Sequence, residues 1–449
     1  MSATNSPPQL KRELGVVGAT LMGLGSIVGT GVFVTIGIAA GIAGPAVILA
    51  VAIGAIVATC NGLNSAQLAA NHAVSGGTYE YGYKYLTPAL GFTAGWMFLV
   101  AKTASAATAA LGFAGYLLNI GGLSSSWVVP TAVLAVAIMT LVVLSGIRRS
   151  NVTNTVIVSV TLLSLGFFIL ACLPRATEVG IENLTPFFRT SPAAILHASA
   201  LMFVAYTGYG RIATMGEEAR SPRETIPKAM IVCLLLTMLL YMAVAIVGIG
   251  AVGADVLGSS TGQTAAPLEV AVRSVAGSGG ALVLGIGAVT AMLGVLLNLI
   301  LGLSRVLLAM GRRSDAPKFL ARLNQEQTTP YWAVIFVGIA IALLVLLGNV
   351  KTTWSFSAFS VLIYYAITSF AALRLTPSER LYPVWVGWLG LVSCLFLAFW
   401  VESAIWQVGL GLIVAGLIWH KIRRANRPST MKEAGGGGSE GEELITNAQ

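Results

Sequence analysis

The chain reads as an all-α polytopic membrane protein with twelve spanning helices. Three observations carry that reading. Of its 449 residues, 56% are hydrophobic and 10% charged, against about 25% charged residues in a soluble domain, and the mean hydropathy is +0.84. Apolar runs long enough to cross a bilayer, roughly 20 residues each, recur along nearly the whole length. The runs are long and unbroken, whereas a β-barrel is written in short alternating strands.

In order, the predicted spans are 16–41, 43–70, 89–118, 127–147, 152–173, 193–217, 229–251, 281–310, 331–349, 353–374, 383–400 and 403–421. The opening stretch MSATNSPPQLKREL lacks an Arg-rich leader with a small-residue cleavage site, so residues 1–13 read as a cytoplasmic tail. The alternation of loops then places 19 of the 26 Lys and Arg inside, among them Arg148, Arg149, Arg220, Arg223, Arg312, Arg313 and the 421–432 cluster. Four fall outside: Arg175, Arg189, Arg273 and Lys351. That bias predicts both termini in the cytoplasm. The formal charge of +9 is therefore a topology signal and not a nucleic-acid footprint.

The first span contains GLGSIVGTGVF, and glycine costs a helix up to about 1 kcal/mol relative to alanine. The third carries Lys102, about a dozen residues in, which at 1.5 Å per residue is roughly 18 Å from the inner end and near the midplane. A lysine at that depth is a functional hypothesis by default; the bland alternative is a structural lysine bonded to helix-end carbonyls. The sixth span, LMFVAYTGYGRIATMGEEARSPRETIP, is again interrupted by glycine, and Pro222 and Pro227 end one helix and start another. The two interruptions lie five spans apart. Matching breaks in two five-helix halves point to an inverted repeat whose binding site is at the breaks, with spans 11 and 12 outside it. The four cysteines, Cys60, Cys172, Cys233 and Cys394, lie in apolar segments without metal-ligand spacing. From Ala434 the chain contains GGGGSEGEEL, so 426–449 reads as a disordered tail or an appended linker.

Four stretches carry a family resemblance. Gly25, Ser26, Ile27, Gly29, Gly31 and Phe33 match a G-S-I-x-G-x-G-x-F signature; SGGTYEYGYKYLTPALGFTAGW at 75–96 has a Gly-Gly-x-Tyr and a Gly-Trp; FVAYTGYG is followed by GEEARSPRETIPKA; and SRVLLAMGRRSDAPKFL closes span 8. In this order they resemble amino acid–polyamine–organocation (APC) transporters, particularly bacterial relatives of the cationic amino acid transporters, over about residues 14–425. The resemblance implies a LeuT-type 5+5 inverted repeat, about 14–175 and 190–375, with helices 1 and 6 broken at mid-membrane. It also implies secondary transport, by symport or antiport, of a small molecule bearing an amino group and usually a carboxylate.

Elementary chemistry assigns roles to the breaks. Unpaired backbone groups cost several kcal/mol in hydrocarbon, so something must fill the gap. The N–H groups of Gly29, Thr30 and Gly31, with Ile27 beside them, are expected to receive a carboxylate at the positive end of a half-helix, glycine allowing close approach and φ > 0. Carbonyls around Phe203–Tyr206, next to Gly208, are expected to take the ammonium. Phe203 and Tyr206 read either as an outer lid or as plain helix packing, since i and i+3 share a face. Glu217 and Glu218 read as an inner gate latch or an anchor to nearby arginines.

Coupling departs from the family pattern. The lysine that many proton-coupled relatives carry in span 5 is replaced here by Ser159, Val160 and Thr161. Lys102 is the candidate for the proton; Ser159, Thr161 and Asn298, with span 1 carbonyls, are a rival sodium cage. Uncoupled exchange stays open, and no cofactor is expected. The central parts of spans 1, 3, 6, 8 and 10 hold no Asp or Glu, which favours neutral L-amino acids because a buried unpaired cation is heavily penalised; the resemblance itself argues for cationic ones. Other readings are a non-transporting sensor, an inorganic ion cotransporter and, since His72, His197 and His420 are scattered, least of all an enzyme. The expected partners are a small-molecule substrate and the bilayer, with the oligomeric state open.

Overall fold

The computed structural model of the protein describes residues 15–72, 76–146, 151–213, 219–324 and 329–425. It is built from helices, with no strand among the described residues. The helices are α1 (Val16–Ile27), α2 (Ile36–Ala43), α3 (Val47–Asn71), α4 (Thr78–Tyr85), α5 (Pro88–Ile120), α6 (Val128–Leu144), α7 (Asn151–Leu184), α8 (Pro192–Tyr206), α9 (Gly210–Ala213), α10 (Pro222–Val252), α11 (Ala254–Thr264), α12 (Pro267–Arg312), α13 (Tyr331–Leu347), α14 (Val350–Leu373), α15 (Val384–Ala398) and α16 (Ser403–Ala425). Among the described residues nine helical stretches are long and apolar enough to cross a membrane, with α1, α13 and α15 as shorter apolar helices.

Local chemistry sets many of the starts. Pro88, Pro192, Pro222 and Pro267 stand in the first turn of their helices, where the missing N–H has no intrahelical use. Thr87 and Ser191 cap α5 and α8, accepting the N–H groups of Leu90 at 3.2 Å and Ala194 at 3.3 Å, and Asn349 with Thr352 forms a capping box on α14. The ends differ from the apolar runs. In α12 a short helical stretch from Pro267 precedes a kink at Gly277 (φ 69°), after which the long part runs from close to the predicted start at 281. α7 continues past 173 to Leu184, and α4 and α11 are helices where loops were expected. Hydropathy marks what lies in hydrocarbon; these polar turns are helical outside it.

The centre is made of small residues. α5 packs against α14 and α12, α12 against α7, α7 against α10, α10 against α3 and α3 against α8. Close approach is explicit where α3 crosses α8: a side chain at Gly54 would stand 3.0 Å from the Phe203 backbone nitrogen. Lipid tails are as apolar as leucine, so such packing and interhelical hydrogen bonds hold the helices together. One buried ladder joins α3 to α14, with Asn64 Nδ2 donating to Ser369 Oγ at 2.9 Å and Ser369 Oγ donating to Asn61 Oδ1 at 2.8 Å. All four cysteines are free and buried.

Two charged clusters lie at opposite ends of α16, roughly 27 Å apart at 1.5 Å per residue. At one end Asp315, 1% exposed, accepts the hydroxyls of Tyr79 at 2.7 Å and Tyr83 at 2.5 Å, with His420 Nδ1 at 3.4 Å. Trp419 donates its indole N–H to the Asp315 carbonyl at 2.8 Å. Asp315→Ala removes the acceptor of the buried Tyr79 hydroxyl and of the half-buried Tyr83 hydroxyl and is expected to cost about 2–4 kcal/mol, read as a lower melting temperature in detergent.

At the other end Glu402, in the turn between α15 and α16, meets His197 of α8 at 3.2 Å and Lys351 of α14 at 3.4 Å. Burial pushes the Glu402 carboxyl up, but the adjacent His197 imidazole, its own backbone N–H and nearby Ser355 together bring it down to about 2. A carboxyl held below its ordinary range binds fewer protons folded than unfolded, so its stabilisation is complete above pH 4.5 and is lost as the pH falls toward about 2. The wild-type melting temperature is expected to fall more steeply between pH 5 and 3 than that of Glu402→Gln, by roughly the amount this one group contributes.

Candidate functional site

The first apolar segment is broken where its glycines cluster. α1 closes with the Val28 N–H on Leu24 O at 2.8 Å, Val28 itself is extended (φ −79°, ψ 100°), and the chain restarts at Thr30 with a π-helical turn over Gly31–Thr35. The N–H groups of Val32 and Phe33 both return to Gly29 O at 3.1 Å. Those of Gly29, Thr30 and Gly31 open the second half, where a helix has no acceptors of its own. The second break follows Tyr206: a 3₁₀ turn, Thr207–Tyr209, joins α8 to the single turn of α9.

The two breaks touch. A side chain at Gly208 would run into the carbonyl of Ser26 and stand 2.6 Å from the Ile27 nitrogen. A side chain at Gly31 would lie 2.8 Å from Ala205 Cβ and 2.9 Å from Tyr241 Oη, and one at Gly29 would lie 2.6 Å from Val295 Cγ2. None of the three has positive φ. Glycine is needed at Gly208 because two backbones meet, and at Gly31 and Gly29 because Ala205 with Tyr241 and the Val295 side chain press close, which differs from the left-handed geometry allowed for in the sequence reading.

Lys102 lies beside this junction. Buried on α5, it donates from Nζ to Thr207 Oγ1 at 2.9 Å, and Thr207 passes its own proton to Val204 O at 2.8 Å. Tyr365 of α14 donates to Thr207 O at 3.2 Å. The cation is thus tied to the unwound turn itself. Thr30, 3% exposed, has a buried hydroxyl without a hydrogen-bond partner in this structure.

The other predicted residues spread out. Ile27 is buried, and its carbonyl accepts the Tyr241 hydroxyl at 3.0 Å. Phe203 and Tyr206 diverge: Phe203 meets the Tyr365 ring edge-on at 5.6 Å, while Tyr206 packs on Tyr241 at 5.1 Å and donates to Val51 O of α3 at 3.3 Å. On α7, Thr161 is buried and donates to Ile157 O at 2.7 Å, whereas Ser159 is exposed on the outer side. Asn298 is half-buried on α12. Glu217 and Glu218 lie outside the described residues. Among those described, no group of three His, Cys, Asp or Glu residues is placed to hold a metal.

Several participants were not anticipated. Many carbonyls around the second break are already served: Leu201 O by Trp354 Nε1 at 3.1 Å, Ala205 O by Tyr241 at 3.3 Å and Thr207 O by Tyr365. α7 reaches α1 through Asn154, whose Nδ2 donates to Leu21 O at 3.0 Å. The signal for Tyr241, Trp354 and Tyr365 was weak, a polar tip in an otherwise apolar helix.

Residues 18–433 match the amino acid permease family. The chain is 37% identical over 432 residues to an uncharacterized transporter of Mycobacterium tuberculosis, covering 93% of this chain and 92% of that one. It is 28% identical over 448 residues to a branched-chain amino acid permease of Bacillus subtilis, with 93% of each covered. Over 361 residues it is 27% identical to cationic amino acid transporter 4, vacuolar, of Arabidopsis thaliana, covering 76% of this chain and 59% of that one. An all-helical chain with many membrane-length spans and this extent of similarity belongs to the amino acid permease family, membrane transporters without a catalytic domain.

Proposed function

We propose that the chain is a secondary active transporter of amino acids in the cytoplasmic membrane, working by alternating access and favouring neutral L-amino acids. The observation that carries this is the meeting of two interrupted helices at Gly208 and Ser26–Ile27, beside the unpartnered hydroxyl of Thr30. The N–H groups of Gly29, Thr30 and Gly31 with the Thr30 hydroxyl suit a carboxylate; along 203–206, the carbonyls not already held by Thr207 and Tyr241 suit an ammonium. Read as twelve spans, α1 with α2 forms the first and α8 with α9 the sixth, which fits a LeuT-type repeat of 14–175 and 190–375. The lysine and arginine bias supports both termini inside.

Neutral substrates are favoured because α1, α2, α5, α8, α9 and α14 contain no Asp or Glu, and Glu269, in the first turn of α12, is already paired with Arg273 at 2.6 Å. The branched-chain relative agrees with this reading and the cationic relatives with the alternative. For coupling, a proton on Lys102 has the better geometry; a sodium cage from Thr161 and Asn298 lacks Ser159, which is turned outward.

The test is uptake of radiolabelled alanine, leucine, lysine and putrescine into proteoliposomes, under a pH gradient and separately under a sodium gradient. Accumulation of alanine or leucine at least tenfold above lysine is expected with the pH gradient. Uptake of lysine or putrescine alone overturns the neutral reading; binding without movement makes the protein a sensor.

A further inference from the structure

We infer that Tyr241 is a positioning residue that fastens the two interrupted helices to each other, a role that rests on the amino acid site proposed above. Tyr241 belongs to α10, which is neither of the broken helices, and it is fully buried. Its hydroxyl lies 3.0 Å from Ile27 O, the last residue of α1, and 3.3 Å from Ala205 O, one residue before the end of α8. The same oxygen occupies the space beside Gly31, 2.9 Å from where a side chain would begin.

A phenol has one proton to donate, and here two helix-end carbonyls stand within its reach. Carbonyls in the last turn of a helix lack partners within it, and in hydrocarbon an unserved carbonyl is costly. One proton shared between the two ends holds them at a common distance. It can also pass from one end to the other when the two halves shift, so that neither shift requires a bare carbonyl on both sides. The carbonyl without the proton at any moment remains an acceptor at the edge of the substrate site. Tyr241 thereby sets the spacing of groups that bind substrate without touching it.

The ring has its own packing against Tyr206 at 5.1 Å, so Tyr241→Phe removes the hydroxyl alone. Expected for that variant is a rise of about tenfold in KM for the transported amino acid, with turnover at saturation within about twofold of wild type, since small displacements of positioning groups have effects of this size. Hydrogen–deuterium exchange should speed up together in peptides covering 24–34 and 203–212. Tyr79→Phe, which loses a comparable buried hydroxyl bonded to Asp315 Oδ2 at 2.7 Å, should leave KM and both peptides unchanged. A merely structural role would lower the melting temperature and the amount of active protein while sparing KM.

The inference is overturned by a wild-type KM in Tyr241→Phe, by equal effects of the two tyrosine variants, or by faster exchange at only one break. If Tyr241→Phe does not fold, Tyr241→Gln, which keeps a donor, is read instead: folding with KM within about threefold of wild type supports the inference, and failure to fold overturns it. The exchange measurement needs no substrate. Should the wild type move no amino acid at all, the proposed function falls and paired exchange still decides the role of Tyr241.

Discussion

Gly208→Ala is expected to eliminate folded protein and with it uptake. A methyl group there would meet the carbonyl of Ser26 and stand 2.6 Å from the Ile27 nitrogen. Both obstacles are backbone, and neither can rotate away as a side-chain tip does. Overpacking in a well-filled core costs about 1–3 kcal/mol and occasionally more; against backbone at a helix break the upper end applies. Fluorescence-detected size exclusion should show aggregated or absent protein, and proteoliposomes should show background uptake. A monodisperse Gly208→Ala that transports normally would mean that the two breaks do not meet as described. Gly262, whose Cβ would have nothing within 4 Å, is the matched control, and its alanine variant should behave as wild type.

Lys102→Met is expected to abolish accumulation driven by a pH gradient, by at least tenfold, while exchange of amino acid for amino acid persists. Methionine preserves most of the length and removes the ammonium. Thr207 loses the donor at 2.9 Å but still donates to Val204 O, so the turn retains its internal bond. The ammonium is buried with the Thr207 hydroxyl as its partner, and that partner belongs to the unwound turn. Loading or unloading a proton would therefore change what holds that turn in place. Unchanged pH dependence in Lys102→Met would remove Lys102 from coupling, and sodium-driven accumulation in the wild type would favour Thr161 and Asn298. Stability should not drop, because replacing a buried charge by an apolar side chain is often neutral or stabilising.

How much of this was legible differs from residue to residue. The break at Val28–Thr30 could be read from GSIVGTGVF, and the one at Thr207–Tyr209 from YTGYG, because glycine disfavours helix wherever it stands. The reason for each glycine could not be read. Gly31 faces Ala205 and Tyr241, which lie 174 and 210 positions further along the chain. Phe203 and Tyr206 share a helical face by spacing, yet one turns to α14 and the other to α3 and α10. Lys102 was visible as a charge at depth, but its hydroxyl partner was not. The trio of Glu402, His197 and Lys351 left no trace, since its members come from three separate helical regions.

The amino-acid sequence by itself determined which segments are apolar enough to enter a bilayer and where two of them fail as helices. Both are local properties: hydropathy summed over about twenty residues and backbone preference summed over a few. Which face of each helix turns inward was decided only by the tertiary structure. A helix that is hydrophobic all round carries no stripe to mark its inner side, because lipid and protein core are equally apolar. Inside, hydrogen bonding chooses the partners, and in this chain that choice brings Tyr241, Lys102 and Tyr365 from three different helices to the two gaps that the glycines open.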